Sequence, residues 1–530
     1  MTKTKLTFFL LVAIGGLLVV PLGHAQTYTD LFDLTQSTGS GPGNPNLLAQ
    51  GQDGSLYSTM PSSFPGQGTT VVAPPSGGIV TVTHYFQGTD GYSPMSGLTL
   101  GMDGNFYGTT YIHSTGPYGE VFKVTPSGTV TVLYGFNNST DGAYPWAPPI
   151  QASDGNLYGV TQGGTPVAYK ITLSTGVYSV LANLPGPSIA PLIVASDGNF
   201  YGTTVTGGKF NEGTVFQLTR KGVLKIVYSF GTAAFDGTTP DGPVMQAADG
   251  KFYGTTYWGG SSGLGIVYQL TAGAYKILHN FGGSDGAHSP AGLVQGSDNF
   301  LYGVTVAGGA FGDGAFFKIN TTGTTYAVLH DFDGKLSGGS PGATPLLHTT
   351  GTIYGWGTVG PKEGVLYSMN VGLKPFASLV VLTAGKVGTK VGILGQGFST
   401  ASGVKFGNGP GTFTVVSDTY MTAAPAAGAT TGKVTIVESG GNLVSAQKFK
   451  VVPSIKTFSP PSGTVGTPVV ITGMSLLQTT TVKFGTVSAS FTVNSDTQVT
   501  ATVPAGAVTG KISITTPGGT AVSATSFTVN

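Results

Sequence analysis

Histidine side chains are the first candidates for chemistry, because the imidazole group titrates near neutral pH and is the usual general base. Three of the seven histidines share one column of a repeated strand in which other copies carry tyrosine: His84, His279 and His330. That periodicity indicates a structural role. His113 and His288 fall in long connections, and His348 interrupts a column of glycine and alanine. No metal-ligand spacing accompanies them, so the sequence predicts no metal site.

Acidic side chains recur at two positions of the same repeat. One group stands just before a strand and comprises Glu120, Glu212, Asp313 and Glu363. The other belongs to Asp-Gly turns and comprises Asp53, Asp103, Asp154, Asp197 and Asp249. A glycosidase needs two carboxylates within about 5 to 10 Å, and a catalytic pair would break the repeat that these residues follow, while Asp-Gly is typical of hairpin turns. The sequence therefore predicts no catalytic residue and no cofactor.

Aromatic side chains offer a different chemistry, since flat rings with a polar tip suit stacking against sugar rings or a peptide. All three tryptophans fall in connections at one end of the predicted strands. The predicted ligand-binding residues there are Trp146, Trp258, Trp356, Tyr92, Tyr118, Tyr144, His113 and His288, with Tyr111 and Tyr257 nearby. The alternative is that these rings only pack the connections against neighbouring repeat units.

A sevenfold repeat must position these residues. The stretch "SDGNFYGTT" at residues 196–204 has six relatives along the chain, and their tyrosines recur with a period of about 50 residues, which is typical of a propeller blade. Each period holds four short strands, called a, b, c and d, as in "PLIVAS", "NFYGTT", "GTVFQLT" and "VLKIVYSF" of residues 191–230. The a-to-b and c-to-d turns are short and share one face, the short-turn face. The longer b-to-c and d-to-a connections share the other, the long-loop face, where function is expected.

The strand count predicts how the ring closes. Strands a, b and c occur seven times, but no d strand follows the last c strand, and a d strand without a blade stands at the front as "TYTDLFDL", residues 27–34. We therefore predict an all-β fold with a seven-bladed β-propeller over residues 26–372, whose N-terminal strand completes the last blade. Such closure leaves no open sheet edge.

Two smaller units follow the propeller. "KVGTKVGILGQGFS" and "TVGTPVVITGMSLL" lie 78 residues apart, and further matches keep this offset without gaps. A unit of roughly 80 residues with short alternating strands and regular turns predicts a small β-sandwich. The expected domains are residues 373–451 and 452–530.

The N-terminus and the composition bear on location and partners. Lys3 and Lys5 precede an apolar run from Leu6 to Val20, which is typical of a secretory signal peptide over residues 1–25. We expect export to the outside or the cell surface, with the periplasm as the alternative, and no membrane insertion. Charged residues make up 8% of the chain and nearly cancel, which disfavours nucleic acid as a partner.

Two resemblances support this organisation. The elements "DGxFYGTT", "GTVFQLT" and the phenylalanine ending strand d, over residues 27–372, resemble the GloVer-type tandem repeat family of exported bacterial proteins, which implies the fold and export but no chemistry. Residues 373–530 resemble two IPT/TIG immunoglobulin-like domains, through "SPPSGTVGTPVVITG", "VKFG" and "GKISITTPGG". Such domains serve elsewhere as spacers, adhesion modules or dimerisation modules.

These features favour a secreted, non-catalytic binding or adhesion protein that recognises an extracellular glycan or protein with the long-loop face and uses the immunoglobulin-like domains as a stalk. Two alternatives stay open at this point. One is an extracellular polysaccharide-active enzyme, either a hydrolase or a lyase, and the other is a structural component of the cell envelope. The identity of the ligand and the oligomeric state are not encoded in any pattern of the sequence.

Overall fold

The chain is all β over the residues that the structure, a computed structural model, describes: 26–35, 47–61, 67–112, 118–138, 140–271, 274–335, 337–358 and 364–530. Within those ranges the only helix is one 3-10 turn, Phe398–Thr400, and no helix there could span a bilayer. The predicted signal peptide, His113 and Glu363 lie outside the described residues.

Seven four-stranded antiparallel sheets in the order a-b-c-d form the blades. The a strands are Ala49–Gln50, Thr99–Leu100, Ile150–Gln151, Ile193–Val194, Met245–Gln246, Val294–Gln295 and Leu346–Leu347. The b strands are Leu56–Met60, Phe106–Thr110, Leu157–Val160, Phe200–Thr204, Phe252–Thr255, Leu301–Thr305 and Ile353–Gly357. The c strands are Thr69–Ala73, Glu120–Val124, Val167–Thr172, Thr214–Leu218, Ile266–Thr271, Ala315–Ile319 and Val365–Asn370. The d strands of blades 1 to 6 are Thr81–Tyr85, Val130–Gly135, Val177–Asn183, Leu224–Ser229, Ala274–Asn280 and Tyr326–Asp331.

The fourth strand of blade 7 comes from the N-terminal end of the described chain. Thr27–Asp33 pairs antiparallel with Val365–Asn370. The Tyr28 ring stacks on His330 of blade 6 with centroids 3.9 Å apart and planes 5° apart. Tyr326 stacks in the same way on His279 of blade 5, at 3.8 Å and 5°. The first strand therefore occupies the place of a d strand in its side-chain contacts as well as in its hydrogen bonds.

Neighbouring blades pack through seven separate apolar clusters, one at each interface of the ring. Successive residues of strand b point to opposite faces of a blade, so Phe106 packs against blade 1 and Tyr107 against blade 3. The interface between blades 7 and 1 is of the same kind and contains Trp356, Leu366 and Leu56. No blade could bury both faces alone, which is why stacking in a closed circle stabilises the repeat.

The glycine of "YGTT" leaves room for the aromatic residue of strand c. Gly254 lies opposite Tyr268, and a Cβ at Gly254 would stand 2.3 Å from the Tyr268 hydroxyl oxygen. The pairs in blades 2, 3, 4, 6 and 7 are Gly108 with Phe122, Gly159 with Tyr169, Gly202 with Phe216, Gly303 with Phe317 and Gly355 with Tyr367. Blade 1 lacks the aromatic residue, and there Ser58 stands opposite Val71. Blade 1 therefore has a larger residue in place of the glycine and a smaller one in place of the aromatic residue, so the two changes compensate for each other in volume.

The aspartate of each Asp-Gly turn is a structural residue. The carboxylate of Asp103 accepts hydrogen bonds from the Asn105 N–H at 3.2 Å and from the Tyr107 hydroxyl at 3.0 Å. The equivalent aspartates accept the tyrosine hydroxyl four residues later in blades 1, 3, 4, 5 and 6: Asp53, Asp154, Asp197, Asp249 and Asp298. One side chain therefore fixes both the turn and the tyrosine that packs against the next blade.

Inner-strand glutamines connect adjacent blades. The Gln151 amide oxygen accepts the Met102 N–H of the preceding blade at 2.7 Å, and its amide nitrogen donates to the Gly155 carbonyl oxygen at 2.9 Å. Gln246 and Gln295 bond to the preceding blade in the same way. These glutamines therefore bond one blade to the next through their side-chain amides.

The two C-terminal units are immunoglobulin-like β-sandwiches with the same strand order. In the first unit all strands are hydrogen-bonded in one continuous sheet, in the order Ser378–Val380, Val391–Leu394, Tyr420–Pro425, Gly409–Val415, Ala401–Phe406, Gly432–Glu438, Leu443–Val451 and Ala384–Gly385. The second has Ser454–Ser459, Pro468–Met474, Gln498–Thr502 and Phe491–Ser495 in one sheet, and Ser462–Gly463, Gly519–Val529, Gly510–Thr516, Thr481–Phe484 and Val487–Ala489 in the other. In the first unit, the strand Gly409–Val415 joins the two halves of the continuous sheet. In the second unit its place is taken by two separate strands, Phe491–Ser495 and Val487–Ala489, one in each sheet.

The first sandwich contacts the short-turn face of the propeller. The Thr419 hydroxyl donates to the Gln52 carbonyl oxygen at 2.7 Å, and the Gln396 amide donates to the Thr349 hydroxyl at 3.0 Å. Leu100 of blade 2 packs against a small apolar cluster of the sandwich, which contains Val380, Leu394 and Tyr420. This attachment leaves the long-loop face on the opposite side of the ring. Independent folding of residues 373–530 stays a prediction.

Candidate functional site

A repeated backbone feature shapes the long-loop face. Five d-to-a connections hold a non-glycine residue at a φ between 48° and 57°: Ser93, Tyr144, Thr239, His288 and Ser340. The N–H of each donates to a carbonyl oxygen of the preceding b-to-c connection, as from Tyr144 to Tyr118 and from His288 to Leu264, both at 2.8 Å. Such left-handed residues cost about 1 to 3 kcal/mol each and are held by their surroundings. They fix the direction in which the side chain leaves the loop.

In blade 5 this feature assembles three rings, which we call the blade-5 cluster: Tyr257, Trp258 and His288. The Tyr257 and His288 rings stack with centroids 4.8 Å apart and planes 23° apart. Trp258 meets both rings edge-on, at 5.1 Å from Tyr257 and 4.2 Å from His288. The short strand Trp258–Gly259 pairs with Gly237–Thr238, so the backbone that carries the Trp258 ring is fixed. Trp258 nevertheless stays 48% exposed.

His288 also has a defined tautomer in this cluster. Its Nδ1 lies 2.9 Å from the Tyr257 carbonyl oxygen. A carbonyl oxygen only accepts hydrogen bonds, so Nδ1 carries the proton, and Nε2 of the neutral ring is an acceptor. The cluster therefore combines an exposed apolar face with a polar edge.

Blade 2 carries a second set of rings, the blade-2 cluster: Tyr111, Tyr144 and Trp146. Tyr111 lies 5.0 Å from Tyr144 with planes 31° apart, and it meets Trp146 edge-on at 5.1 Å. Tyr118 approaches Tyr144 from the other side at 6.0 Å and packs on the interface between blades 2 and 3. All four side chains are half-buried. The structure thus brings together Tyr118, Tyr144 and Trp146 in one cluster, and Trp258 and His288 in the other.

Two predicted residues do not join these clusters. Trp356 was expected where strand b gives way to its loop, and that expectation is wrong, because strand b runs to Gly357 and the indole is 1% exposed in the core between blades 7 and 1. Tyr92 is half-buried and folds back over its own connection, where a Cβ at Gly88 would stand 2.6 Å from its hydroxyl oxygen.

Replacing Trp356 by alanine should therefore act on stability and not on ligand binding. Removing so large a buried side chain leaves a cavity and costs about 3 to 5 kcal/mol. We expect a clearly lower melting temperature in thermal unfolding of the full chain. An unchanged melting temperature would show that the indole does not lie in the core.

The sequence analysis missed three exposed phenylalanines on the long-loop face. Phe210, Phe235 and Phe311 are 43%, 67% and 65% exposed, and all belong to blades 4 to 6 or the connections between them. A signal was available for two of them, since "GGKFNEG" and "GGAFGDG" put phenylalanine at the same place in the b-to-c connections of blades 4 and 6. Together with Trp258 they concentrate exposed apolar area on one half of this face.

Asp241 is a further residue that the sequence analysis missed, and it is acidic and not aromatic. It stands in the d-to-a connection that leads into blade 5, at the place that Trp146 holds before blade 3. Within the described residues its Oδ1 atom is buried and has no hydrogen-bond partner. Burial raises the pKa of the Asp241 carboxyl from its usual 3.8 to about 7. No sequence pattern marks this carboxylate, because its repeat neighbours in the column are apolar.

This shift predicts a pH dependence of stability. Between about pH 4 and pH 7 the folded protein keeps the Asp241 proton while the unfolded chain has lost it, so the free energy of unfolding falls as the pH rises through this window. Asp241→Asn removes the dependence. The measurement is the melting temperature of the wild type minus that of the variant. We expect this difference to be larger at pH 4.5 than at pH 8. Parallel melting curves at all pH values would contradict the burial of this carboxyl.

Two of the other residues considered for acid–base chemistry, His348 and Glu120, are buried inside the propeller. His348 is fully buried and its Nε2 lies 2.9 Å from the Gly54 carbonyl oxygen of blade 1; burial lowers its pKa to about 4. Glu120 is buried, and burial with the nearby Asp90 raises its pKa to about 7, whereas Glu212 is exposed. Within the described residues no group of three histidine or acidic side chains could hold a metal ion.

These features define an all-β repeat protein, in which a seven-bladed propeller precedes two immunoglobulin-like domains. The chain belongs to the Gloeobacter/Verrucomicrobia repeat family, whose matches cover residues 20–188, 165–367 and 240–444. The IPT/TIG domain family matches residues 453–529, which is the second sandwich. The first sandwich shares the strand order of the second. No protein of curated function matches the chain.

Several solved structures are similar in chain course. An oligogalacturonate lyase from Vibrio parahaemolyticus has a TM-score of 0.44 at 12% identity, over 65% of this chain and 93% of the lyase. TolB from Acinetobacter baumannii has a TM-score of 0.33 at 16% identity, and the match covers 51% of this chain and 61% of TolB. The surface glycan-binding protein PbSGBP-B from Prevotella bryantii has a TM-score of 0.23 at 16% identity, over 28% of this chain and 38% of its own. Similarities this distant do not bear on function.

Proposed function

We propose that this chain is an exported, non-catalytic binding protein, in which the long-loop face of the propeller recognises an extracellular glycan or protein and the immunoglobulin-like domains act as a stalk. The observation that carries the proposal is the blade-5 cluster. Trp258 is nearly half exposed although two further rings and a strand pair hold it in place. A large ring fixed before the ligand arrives loses little conformational entropy on binding, which favours its use as a contact surface.

The contacts of the first sandwich support the assignment of faces. The sandwich bonds to Gln52 and Thr349 and packs on Leu100, all at the short-turn end of the blades. A stalk attached there would direct the long-loop face away from the stalk, on the opposite side of the propeller. Binding residues and attachment residues are therefore separated by the depth of the propeller.

The test compares two substitutions in the chain from residue 26 to 530. Trp258→Ala removes the exposed ring of the long-loop face, and Ile79→Ala removes a 79% exposed side chain from a c-to-d turn on the short-turn face. Candidate ligands come from a glycan array and from pull-down of secreted proteins, and affinities are measured by calorimetry. We expect Trp258→Ala to weaken binding about tenfold or more, which is ~1.4 kcal/mol, with both melting temperatures unchanged.

Two outcomes would contradict the proposal. In one, the wild type binds no glycan and no protein. In the other, it binds a ligand with equal affinity in both variants, which would place the contact away from the blade-5 cluster.

A further inference from the structure

The two aromatic clusters are built in the same way. In each, the residue that follows the second threonine of the "YGTT" motif packs its ring against the left-handed residue of the following d-to-a connection: Tyr111 against Tyr144 in blade 2, and Tyr257 against His288 in blade 5. The centroid distances are 5.0 and 4.8 Å, and the planes differ by 31° and 23°. A tryptophan then completes each cluster by meeting the first ring edge-on, at 5.1 Å in both cases.

Other blades have the same backbone but no pair of rings. The two positions hold Val205 and Thr239 in blade 4, and Val306 and Ser340 in blade 6. The repeat therefore does not demand aromatic residues there, and packing of the ring of blades does not explain why blades 2 and 5 have them. The two clusters lie three blades apart in a ring of seven, so a line between them passes close to the axis of the ring.

We propose that the blade-2 and blade-5 clusters are two equivalent subsites for a single chain of a neutral polysaccharide, which crosses the centre of the long-loop face. The inference rests on the proposed function and gives it a ligand class. Two subsites of the same construction fit a ligand that presents the same unit repeatedly, as a polysaccharide does. A folded protein partner would offer different surfaces to the two positions.

The chemistry of the clusters indicates a neutral sugar. The rings offer apolar faces for stacking, and the polar groups beside them are tyrosine hydroxyls and the imidazole edge of His288, which suit sugar hydroxyls. Carboxylate groups of an acidic polysaccharide would pair best with arginine or lysine, whereas the two clusters are built from tyrosine, tryptophan and histidine side chains.

Glycine substitutions at the left-handed positions test the inference with little risk to the fold, since glycine adopts positive φ without strain. Tyr144→Gly and His288→Gly each remove a ring from one cluster, and the double variant removes both. Ser340→Gly is the matched control, because it makes the same backbone change at a φ of 48° in blade 6, where there is no ring pair. Melting temperatures establish that all four variants are folded.

The probes are neutral glucans and galactomannans, each as the polymer and as oligosaccharides of two to twelve units, with polygalacturonate as the acidic comparison. For one polysaccharide we expect the polymer to bind about 100-fold or more tightly than its short oligosaccharides, through the raised effective concentration at the second subsite. Each single variant should reduce affinity for the polymer to about that for short oligosaccharides, while Ser340→Gly behaves as the wild type.

The outcomes separate this inference from the proposed function. If a neutral polymer binds but affinity does not rise with chain length, or if only one cluster matters, the two-subsite inference fails and the binding function stands. Preference for polygalacturonate or for a protein would overturn the ligand class alone. If the wild type binds none of these probes and no other ligand, the proposed function fails as well.

Discussion

Removal of the first strand, residues 26–34, is expected to unfold the propeller as a whole and not merely to fray one end. Thr27–Asp33 pairs along the outer edge of Val365–Asn370, Tyr28 stacks on His330 of blade 6, and Leu34 is fully buried between blades 7 and 1. The lost side-chain burial alone is worth more than about 5 kcal/mol, which is comparable to the total stability of a typical domain. Near-ultraviolet circular dichroism during thermal unfolding would measure the loss.

A matched pair of point substitutions tests the same closure without shortening the chain. Tyr28→Ala and Tyr326→Ala each remove a tyrosine that stacks on the histidine of the preceding blade, at centroid distances of 3.9 and 3.8 Å. Equal losses, on the order of 3 kcal/mol each, are expected if the first strand is a true d strand. A loss for Tyr326→Ala together with none for Tyr28→Ala would show that the ring is open.

Gly254→Ser is expected to destabilise the propeller strongly although it adds only a small side chain. Its Cβ would stand 2.3 Å from the hydroxyl oxygen of Tyr268, which is fully buried, so the neighbouring strands must separate. Overpacking of this kind typically costs about 1 to 3 kcal/mol, and a site this tight is expected at the upper end. Gly135→Ser in strand d of blade 2 is the control, because no atom lies within 4 Å of a Cβ there. Denaturant unfolding of the propeller provides the comparison.

Blade 1 supplies the natural compensation for this clash. Adding Tyr268→Val to Gly254→Ser reproduces the pair of Ser58 and Val71. We expect the double variant to lose less stability than the sum of the two single losses, by about 2 kcal/mol, since the two sites are in contact. Strictly additive losses would mean that the pairing of glycine and aromatic residue is not the reason for the repeat.

The repeated strand pattern was sufficient to predict the fold, because each strand of a blade has its own signature. Period-two alternation in strand c and the glycine of strand b follow directly from packing between blades, so seven copies of "FYGTT" and its relatives predict seven sheets. Counting strands also placed residues 27–34 beside the last c strand, where the structure has Thr27–Asp33. The attachment of the first sandwich to the short-turn face was not predictable, since Gln52 and Thr349 carry no pattern that marks a domain contact.

The binding face was predictable only in part. The prediction for Trp356 was wrong because this residue occupies a strand position that is threonine or valine in other blades, and those residues, such as Thr109 and Val304, are buried too. The pairing of Tyr111 with Tyr144 and of Tyr257 with His288 depends on left-handed backbone in the d-to-a connections. Since tyrosine and histidine rarely adopt that conformation, composition could place these rings on one face but not in contact.

The most direct measurement of the central claim is acrylamide quenching of Trp258 fluorescence with and without the neutral polysaccharide that binds the wild type best. Trp356 is buried and Trp258 is 48% exposed, so the difference between the wild type and Trp258→Phe isolates the signal of the exposed ring. We predict that saturating polysaccharide protects this ring from the quencher. If the polysaccharide binds and Trp258 is quenched as strongly as before, the long-loop face does not hold the ligand.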